Sequence, residues 1–335
     1  MTTMATNKIA FLFPGQGSQA IGMLDDFAQD PQLAAIIKQA DAALADAATA
    51  GSLSELIATG PAEQLSLTIN TQPAMLLAAY VAFKAWTQAG GPSAQAMAGH
   101  SLGEYTALTA AGAFALDDAL RLVRIRAAAM QAAVPVGTGG MAVILGLSAA
   151  QVTEVCASAM QGHHDIVEAV NFNEPAQIVI AGHSAAVSRA CDAAKAAGAK
   201  RALLLQVSAP FHSSLLKPAG DVLAATLASY IQSSKLSATQ TIVVNNIDVQ
   251  SPADPTQIAD ALVRQSYGPV RWVEVIQQLS KMGITHCIEF GPGKVLTGLC
   301  KRIDPALQAH AVFDRASLAS VLAALEQSSA QGGHS

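Results

Sequence analysis

The sequence predicts an α/β protein built on a parallel sheet. Two observations carry this expectation. Short apolar runs rich in β-branched residues alternate along the chain with Ala-rich stretches of helical period. Each candidate sheet strand also ends in a loop containing Gly or Asn, the chemistry of a turn out of a strand. The 335 residues are 51% hydrophobic and only 13% charged, enough for one large core or two smaller ones.

The first strand is Ile9–Phe13, stopped by Pro14 and followed by the glycine loop "PGQGSQ". Loops of this kind often hold phosphate. The dinucleotide fingerprint, however, needs a third glycine where Ala20 stands. Asp41, the acid nearest the ribose position, falls in a helical Ala-rich stretch, and the loop has no P-loop lysine. What remains is a tight turn whose glycines let another backbone come close. The window "PAMLLAAYVAFKAW" is too short for a membrane span and contains Lys84, so it reads as a buried helix. A second strand, Ala96–Gly99, runs into the turn Gly99-His100-Ser101-Leu102-Gly103, and a helix with Asp117 and Asp118 in its first turn follows.

The glycines of "GTGG" (137–140) break the chain, and the pattern then changes. A strand (141–147), a helix (149–160), two strands (166–172 and 177–181), a helix (184–197) and a strand (201–207) are expected. That βαββαβ order is the ferredoxin-like pattern. It makes 140–207 an inserted subdomain and leaves a discontinuous large domain, 1–139 with 208–335. Strands at 241–245 and 285–290 return to the parallel sheet. The end of the chain, 328–335, is Ser-, Gly- and Gln-rich and reads as a disordered tail.

A net charge of −5 gives no sign of a nucleic-acid surface. "MTTMATNK" has no apolar segment of secretory type. Cys156, Cys191, Cys287 and Cys300 show no C-x-x-C spacing and read as reduced core residues of a cytoplasmic protein, with no metal or cofactor expected.

The turn at Ser101 is G-x-S-x-G between a strand and a helix, the nucleophile elbow of α/β-hydrolase-like cores. It holds a serine at a strand's carboxyl end, beside a helix N-terminus whose free N–H groups and dipole favour developing negative charge. Such a serine needs a base. Of the eight histidines, His100 points away from its neighbour's side chain, His163 and His164 fall in a polar loop, His183 starts a helix, and His334 lies in the tail. His212, in "VSAPFHSS", stands where the chain re-enters the large domain and is the favoured base, with His286 and His310 as alternatives. No acid sits on a strand-end loop between Ser101 and His212, since Asp117 and Asp118 start a helix and Asp192 lies inside one. A Ser–His dyad oriented by an uncharged group is therefore expected. Arg126 falls in the apolar stripe of its helix, four residues after Leu122 and four before Met130. A buried guanidinium needs an anionic partner, which is either an internal carboxylate or one brought by the ligand.

Taken in order, "FPGQGSQ", "GHSLGEY", "RLVRIRAAAMQ", "VNFNEPAQIVIAG", "APFHS", "RQSYGPVRW" and "EFGPGKVLTGL" resemble the malonyl-CoA:acyl carrier protein transacylases of dissociated bacterial fatty-acid synthesis. The match runs from about Lys8 to Arg315. The chain is similar, less closely, to acyltransferase domains of polyketide synthases. The resemblance implies ping-pong transfer of malonyl from malonyl-CoA, through Ser101, to the phosphopantetheine thiol of acyl carrier protein. His212 is then the base and acid, held by a backbone carbonyl at Gln265, and Arg126 clamps the malonyl carboxylate. Backbone N–H groups of Gln16 and Leu102 form the oxyanion hole, so the glycine loop serves an oxyanion rather than a phosphate. Leu102 and Phe211 match malonyl-selective relatives, although many close bacterial enzymes carry a smaller residue at the position of Phe211, whose bulk crowds an α-methyl group. The coenzyme A thioester is a substrate, no cofactor is implied, and neither nucleic acid nor membrane is an expected partner. The alternatives are a free-standing polyketide-type acyltransferase, a serine thioesterase or esterase, which would want a triad acid and has no use for Arg126, and a non-catalytic carrier-binding module.

Overall fold

The computed structural model of the chain describes residues 8–45, 52–162 and 164–331. Within them lie the strands β1 (Ile9–Phe13), β2 (Ala96–Gly99), β3 (Gly139–Leu145), β4 (Val167–Glu174), β5 (Gln177–His183), β6 (Arg201–Leu204), β7 (Ile242–Val244), β8 (His286–Phe290) and β9 (Gln308–Val312). They form two sheets, one in each of two compact units. One unit comprises the described residues up to Arg124, Ser237–Val244, and those from Ile276 on; the other comprises Ile125–Leu236 and Asn245–Val275. The protein is thus mixed α/β, with a parallel sheet and a separate antiparallel one.

In the first unit the strand order is β7-β2-β1-β8-β9 and every neighbouring pair is parallel. All residues of β1, β2 and β8 are buried, which is why their sequences are continuous apolar runs rather than alternating ones. Phe11, Phe83, Trp86 and Phe290 pack edge to face, with Phe11 and Phe290 centroids 4.9 Å apart. The helix Thr68–Gln88 contributes Phe83 and Trp86 and is buried along most of its length. Among the described residues no helix is long and apolar enough to cross a membrane. Parallel pairing brings the carboxyl ends of the strands to one edge, where Phe13 is level with Gly99. The loop after β8 reaches the same edge: a Cβ on Gly291 (φ 126°) would stand 3.1 Å from Pro14 and from Ala79.

Glu289 on β8 is fully buried and ties this edge to the helix Val295–Ile303. Its carboxylate accepts from the amides of Leu296 (3.1 Å) and Thr297 (2.7 Å) and from the Thr297 hydroxyl (2.7 Å), an anion set on free N–H groups of a helix start. Glu289→Ala leaves buried donors without an acceptor. It is expected to lower the unfolding free energy by about 2–4 kcal/mol, read as a reduced midpoint in urea at unchanged slope.

The strand β9 has no counterpart among the strands expected from sequence, and the disordered tail expected at 328–335 is helical as far as 331. The helix Arg315–Gln331 carries through 328–331, where Ala330 and Gln331 are good helix formers, while 332–335 lie outside the described residues. His163 and His334 also lie outside them.

The second unit holds the antiparallel sheet β4-β5-β3-β6. The chain order is the expected strand-helix-strand-strand-helix-strand, with helices Ala149–Ala159 and Ser184–Ala196. Val152, Cys156, Val187, Ala190 and Cys191 from those helices bury against Ile144, Val167, Ile178 and Ile180. All four cysteines are free and buried, and burial pushes the Cys156 thiol up to about 12, so it stays protonated. The unit takes in more chain than 140–207. Leu216 and Ala219, at the start of the helix Lys217–Gln232, pack with Met130 and Phe211, and Gly220 leaves room for the Tyr267 ring. The strand β3 also begins earlier than expected, at Gly139. A Cβ there would stand 2.4 Å from the Pro210 ring, so the glycine serves a close approach and not a hinge.

Candidate active site

The elbow forms because its two glycines are sterically obligatory. A Cβ on Gly99 would lie 1.9 Å from the Gly103 carbonyl, and one on Gly103 would lie 1.9 Å from the Phe13 main-chain oxygen. Ser101 sits between them at φ 52°, ψ −108°, a strained backbone state for an L residue, immediately before the helix Leu102–Ala110. The His100 amide donates to Phe13 O at 2.9 Å, which fixes the turn to the end of β1. Leu102, the first helical residue, has an amide with no intrahelical acceptor.

The glycine loop belongs to the same construction. Gly15 lies so close to the elbow that a Cβ would stand 2.7 Å from His100 O, and Gly17 adopts φ 115°, open only to glycine. Between them is Gln16. Its side-chain oxygen accepts from Thr68 Oγ1 at 3.0 Å, and Thr68 Oγ1 in turn accepts from Gln72 Nε2 at 3.2 Å. The long helix therefore anchors Gln16, a role for Thr68 and Gln72 that the sequence reading missed. The sequence signal for it is the polar start of an apolar helix, with Thr68, Asn70, Thr71 and Gln72 in its first five residues.

In the second unit three buried residues form one chain of contacts: Arg126 (1% exposed), Gln265 (0%) and His212 (4%). Gln265 lies near the end of the helix Pro255–Ser266. Its main-chain carbonyl would be paired by the amide four residues on, but that residue is Pro269, which has none. The carbonyl instead meets His212 Nδ1 at 2.9 Å. A carbonyl only accepts, so Nδ1 carries the hydrogen and Nε2 of the neutral ring keeps the lone pair a base needs. The Gln265 side-chain oxygen accepts from Arg126 Nη2 at 3.0 Å, fixing the guanidinium. His212 itself sits at φ 67°, a second strained residue among those singled out by sequence. Phe211, half-buried, packs between the Met141, Val170 and Val179 cluster and the Met130 and Leu216 cluster.

The alternative bases fare differently. His286 opens β8 level with Ile9, at the amino end of the sheet, and His310 stands on β9 level with Ile288. Their rings stack at 6.2 Å, and burial lowers both pKa values. Ser101 follows the carboxyl end of β2, so strand register sets His286 at the opposite edge of the same sheet and His310 midway.

The model of the acyl transferase domain matches residues 10–308 of the chain. A malonyl CoA-acyl carrier protein transacylase of Salmonella typhimurium is 48% identical over 94% of this chain and 99% of that protein. The crystal structure of an acyl-carrier-protein S-malonyltransferase from Burkholderia pseudomallei superposes with a TM-score of 0.89 at 57% identity, covering 94% of this chain and 99% of the other. A malonyl-transacylase in complex with its type II polyketide acyl-carrier protein gives a TM-score of 0.90 at 46% identity, covering 95% and 99%.

Proposed function

The chain belongs to the malonyl CoA-acyl carrier protein transacylases of the acyl transferase family, and we propose the route by which its residues carry out that transfer. The enzyme moves malonyl from malonyl-CoA to the thiol of acyl carrier protein and so supplies fatty-acid synthesis. In the first half-reaction His212 Nε2 takes the Ser101 proton as the hydroxyl oxygen attacks the thioester carbonyl. The tetrahedral oxyanion is met by the amides of Leu102 and Gln16, each such donor worth roughly 3 kcal/mol in the transition state. The C–S bond breaks, and the imidazolium returns its proton to the departing coenzyme A sulfur. In the second half-reaction the carrier's thiol gives its proton to His212 and attacks the Ser101 ester, and the serine leaves with that proton. Arg126, held by the Gln265 side chain, pairs with the free malonyl carboxylate. Phe211 limits bulk at the α-carbon. No cofactor enters, because the thioester already activates the acyl group.

The observation that carries this reading is the Gln265 carbonyl on His212 Nδ1, which leaves Nε2 as the basic nitrogen without a triad acid. A serine esterase would require that acid. The polyketide-type alternative has one observation in its favour, the similarity to a transacylase of a type II polyketide carrier. The βαββαβ order and the sheet order β4-β5-β3-β6 support reading 140–207 as a ferredoxin-like insertion in an α/β-hydrolase-like core. The four free, buried cysteines support a cytoplasmic setting. The test is two-substrate kinetics with malonyl-CoA and a holo acyl carrier protein. The reading predicts parallel double-reciprocal lines and exchange of label between coenzyme A and malonyl-CoA without carrier. Intersecting lines with no exchange would rule out the acyl-enzyme route.

A further inference from the structure

We propose that Glu168 is a positioning residue for His212, acting through the main-chain amide of Ser214. The proposal rests on His212 being the base. The His212 turn is not self-supporting: its φ of 67° is a left-handed backbone state, strained for a residue with a Cβ. Local bonds close the turn, with Ser213 Oγ donating to Pro210 O at 2.7 Å and Leu216 N donating to Ser213 O at 2.9 Å. Those bonds fix its shape but attach it to nothing outside the segment. Among the hydrogen bonds that attach it are the imidazole on Gln265 O and Ser214 N donating to Glu168 Oε2 at 2.7 Å, across 46 residues of sequence.

Glu168 is suited to this task. It stands on β4, paired with Ala181 of β5, so its main chain is held by the sheet. Its carboxylate meets the first N–H of the short 3-10 helix Ser214–Leu216, where an anion is favoured and the bond is charge-assisted. Glu168 and His212 line the same cavity of roughly 420 Å³, together with Cys156, Met160, Val170, Phe172 and Tyr267. Without the carboxylate the turn loses its tether to β4, and the direction of Nε2 is set less firmly. Misorientation of a base costs rate and leaves substrate affinity alone.

The same contact can be cut from either side. Glu168→Ala removes the acceptor. Ser214→Pro removes the donor, at a position that tolerates proline: it opens a helical turn, and Ser213 before it is extended (φ −84°, ψ 161°). Each variant is expected to lower kcat for malonyl transfer about tenfold with KM for malonyl-CoA within about twofold. The double variant should lose no more than either single one, and Glu168→Gln, which still presents an acceptor oxygen, should stay within about threefold of the parent. The proposal is overturned if Glu168→Ala keeps kcat within about twofold while His212→Ala is inactive. It is equally overturned if the two single losses multiply in the double variant, or if Glu168→Gln is as slow as Glu168→Ala. An active His212→Ala would instead remove the base assignment on which it rests. A variant that merely weakens the fold shows a lower melting temperature and a proportional loss of active sites on titration, with normal kcat per remaining site.

Discussion

Ser101→Ala is expected to abolish both the acyl-enzyme and malonyl transfer, a loss of ~10⁴-fold or more, and His212→Ala to slow transfer by roughly 10²–10⁴-fold. The serine is held at φ 52° by neighbours that only glycine can supply, so its hydroxyl is presented before substrate arrives. The alanine variant keeps that backbone and loses only the oxygen that forms the ester. On the proposed route His212→Ala keeps the oxyanion amides and removes only the proton acceptor, so its expected loss is smaller. Steady-state assay and intact mass after malonyl-CoA check both. Transfer by Ser101→Ala at more than a few per cent of the parent rate, or a loss below tenfold in His212→Ala, would break the dyad.

Arg126→Ala is expected to lose about 10²–10³-fold in malonyl turnover while keeping or gaining acetyl turnover. The guanidinium is 1% exposed, so a carboxylate brought to it is paired out of water, and deleting one partner of such a pair costs ~3–5 kcal/mol. On the proposed route acetyl brings no anion to Arg126, so it forgoes the pairing that malonyl gains there, and the alanine variant removes that discrimination. The same variant loses the hydrogen bond to Gln265, the residue that also holds His212. Acetyl turnover controls for this, because it needs the same base. A fall in both activities, with a lowered melting temperature, would make Arg126 a structural residue.

Much of the site was legible because its steric demands are local. The elbow glycines, the extended runs of β1 and β2 and the strand-to-helix turn all lie within a few residues of one another, and the strands fall at the expected residues. His212 was singled out from its place after the last strand of the inserted pattern, and the structure finds it buried with Nδ1 on Gln265 O. Less was legible where long-range contacts decide. Gln265 joins Arg126 and His212 across 139 and 53 residues, and its side-chain role has no local signature. The tether of Gln16 to Thr68 spans 52 residues and that of Ser214 to Glu168 spans 46. The glycines of 137–140 read as a break because glycine is poor in strands, yet Gly139 is in β3, where Pro210 leaves no space for a side chain. The strand β9, "QAHAV", has two polar residues among five, too short and too mixed to stand out from a loop.

The account turns on a malonyl ester at one serine, and peptide mapping by mass spectrometry reads it directly. The protein is treated with malonyl-CoA, quenched in acid, digested and mapped, with and without a chase of holo acyl carrier protein. The malonyl mass is predicted on the peptide carrying Ser101 alone, and the chase should discharge it with malonyl appearing on the carrier. A malonyl group on another residue, a Ser101 ester the carrier cannot discharge, or efficient transfer with no adduct at any time would contradict the account.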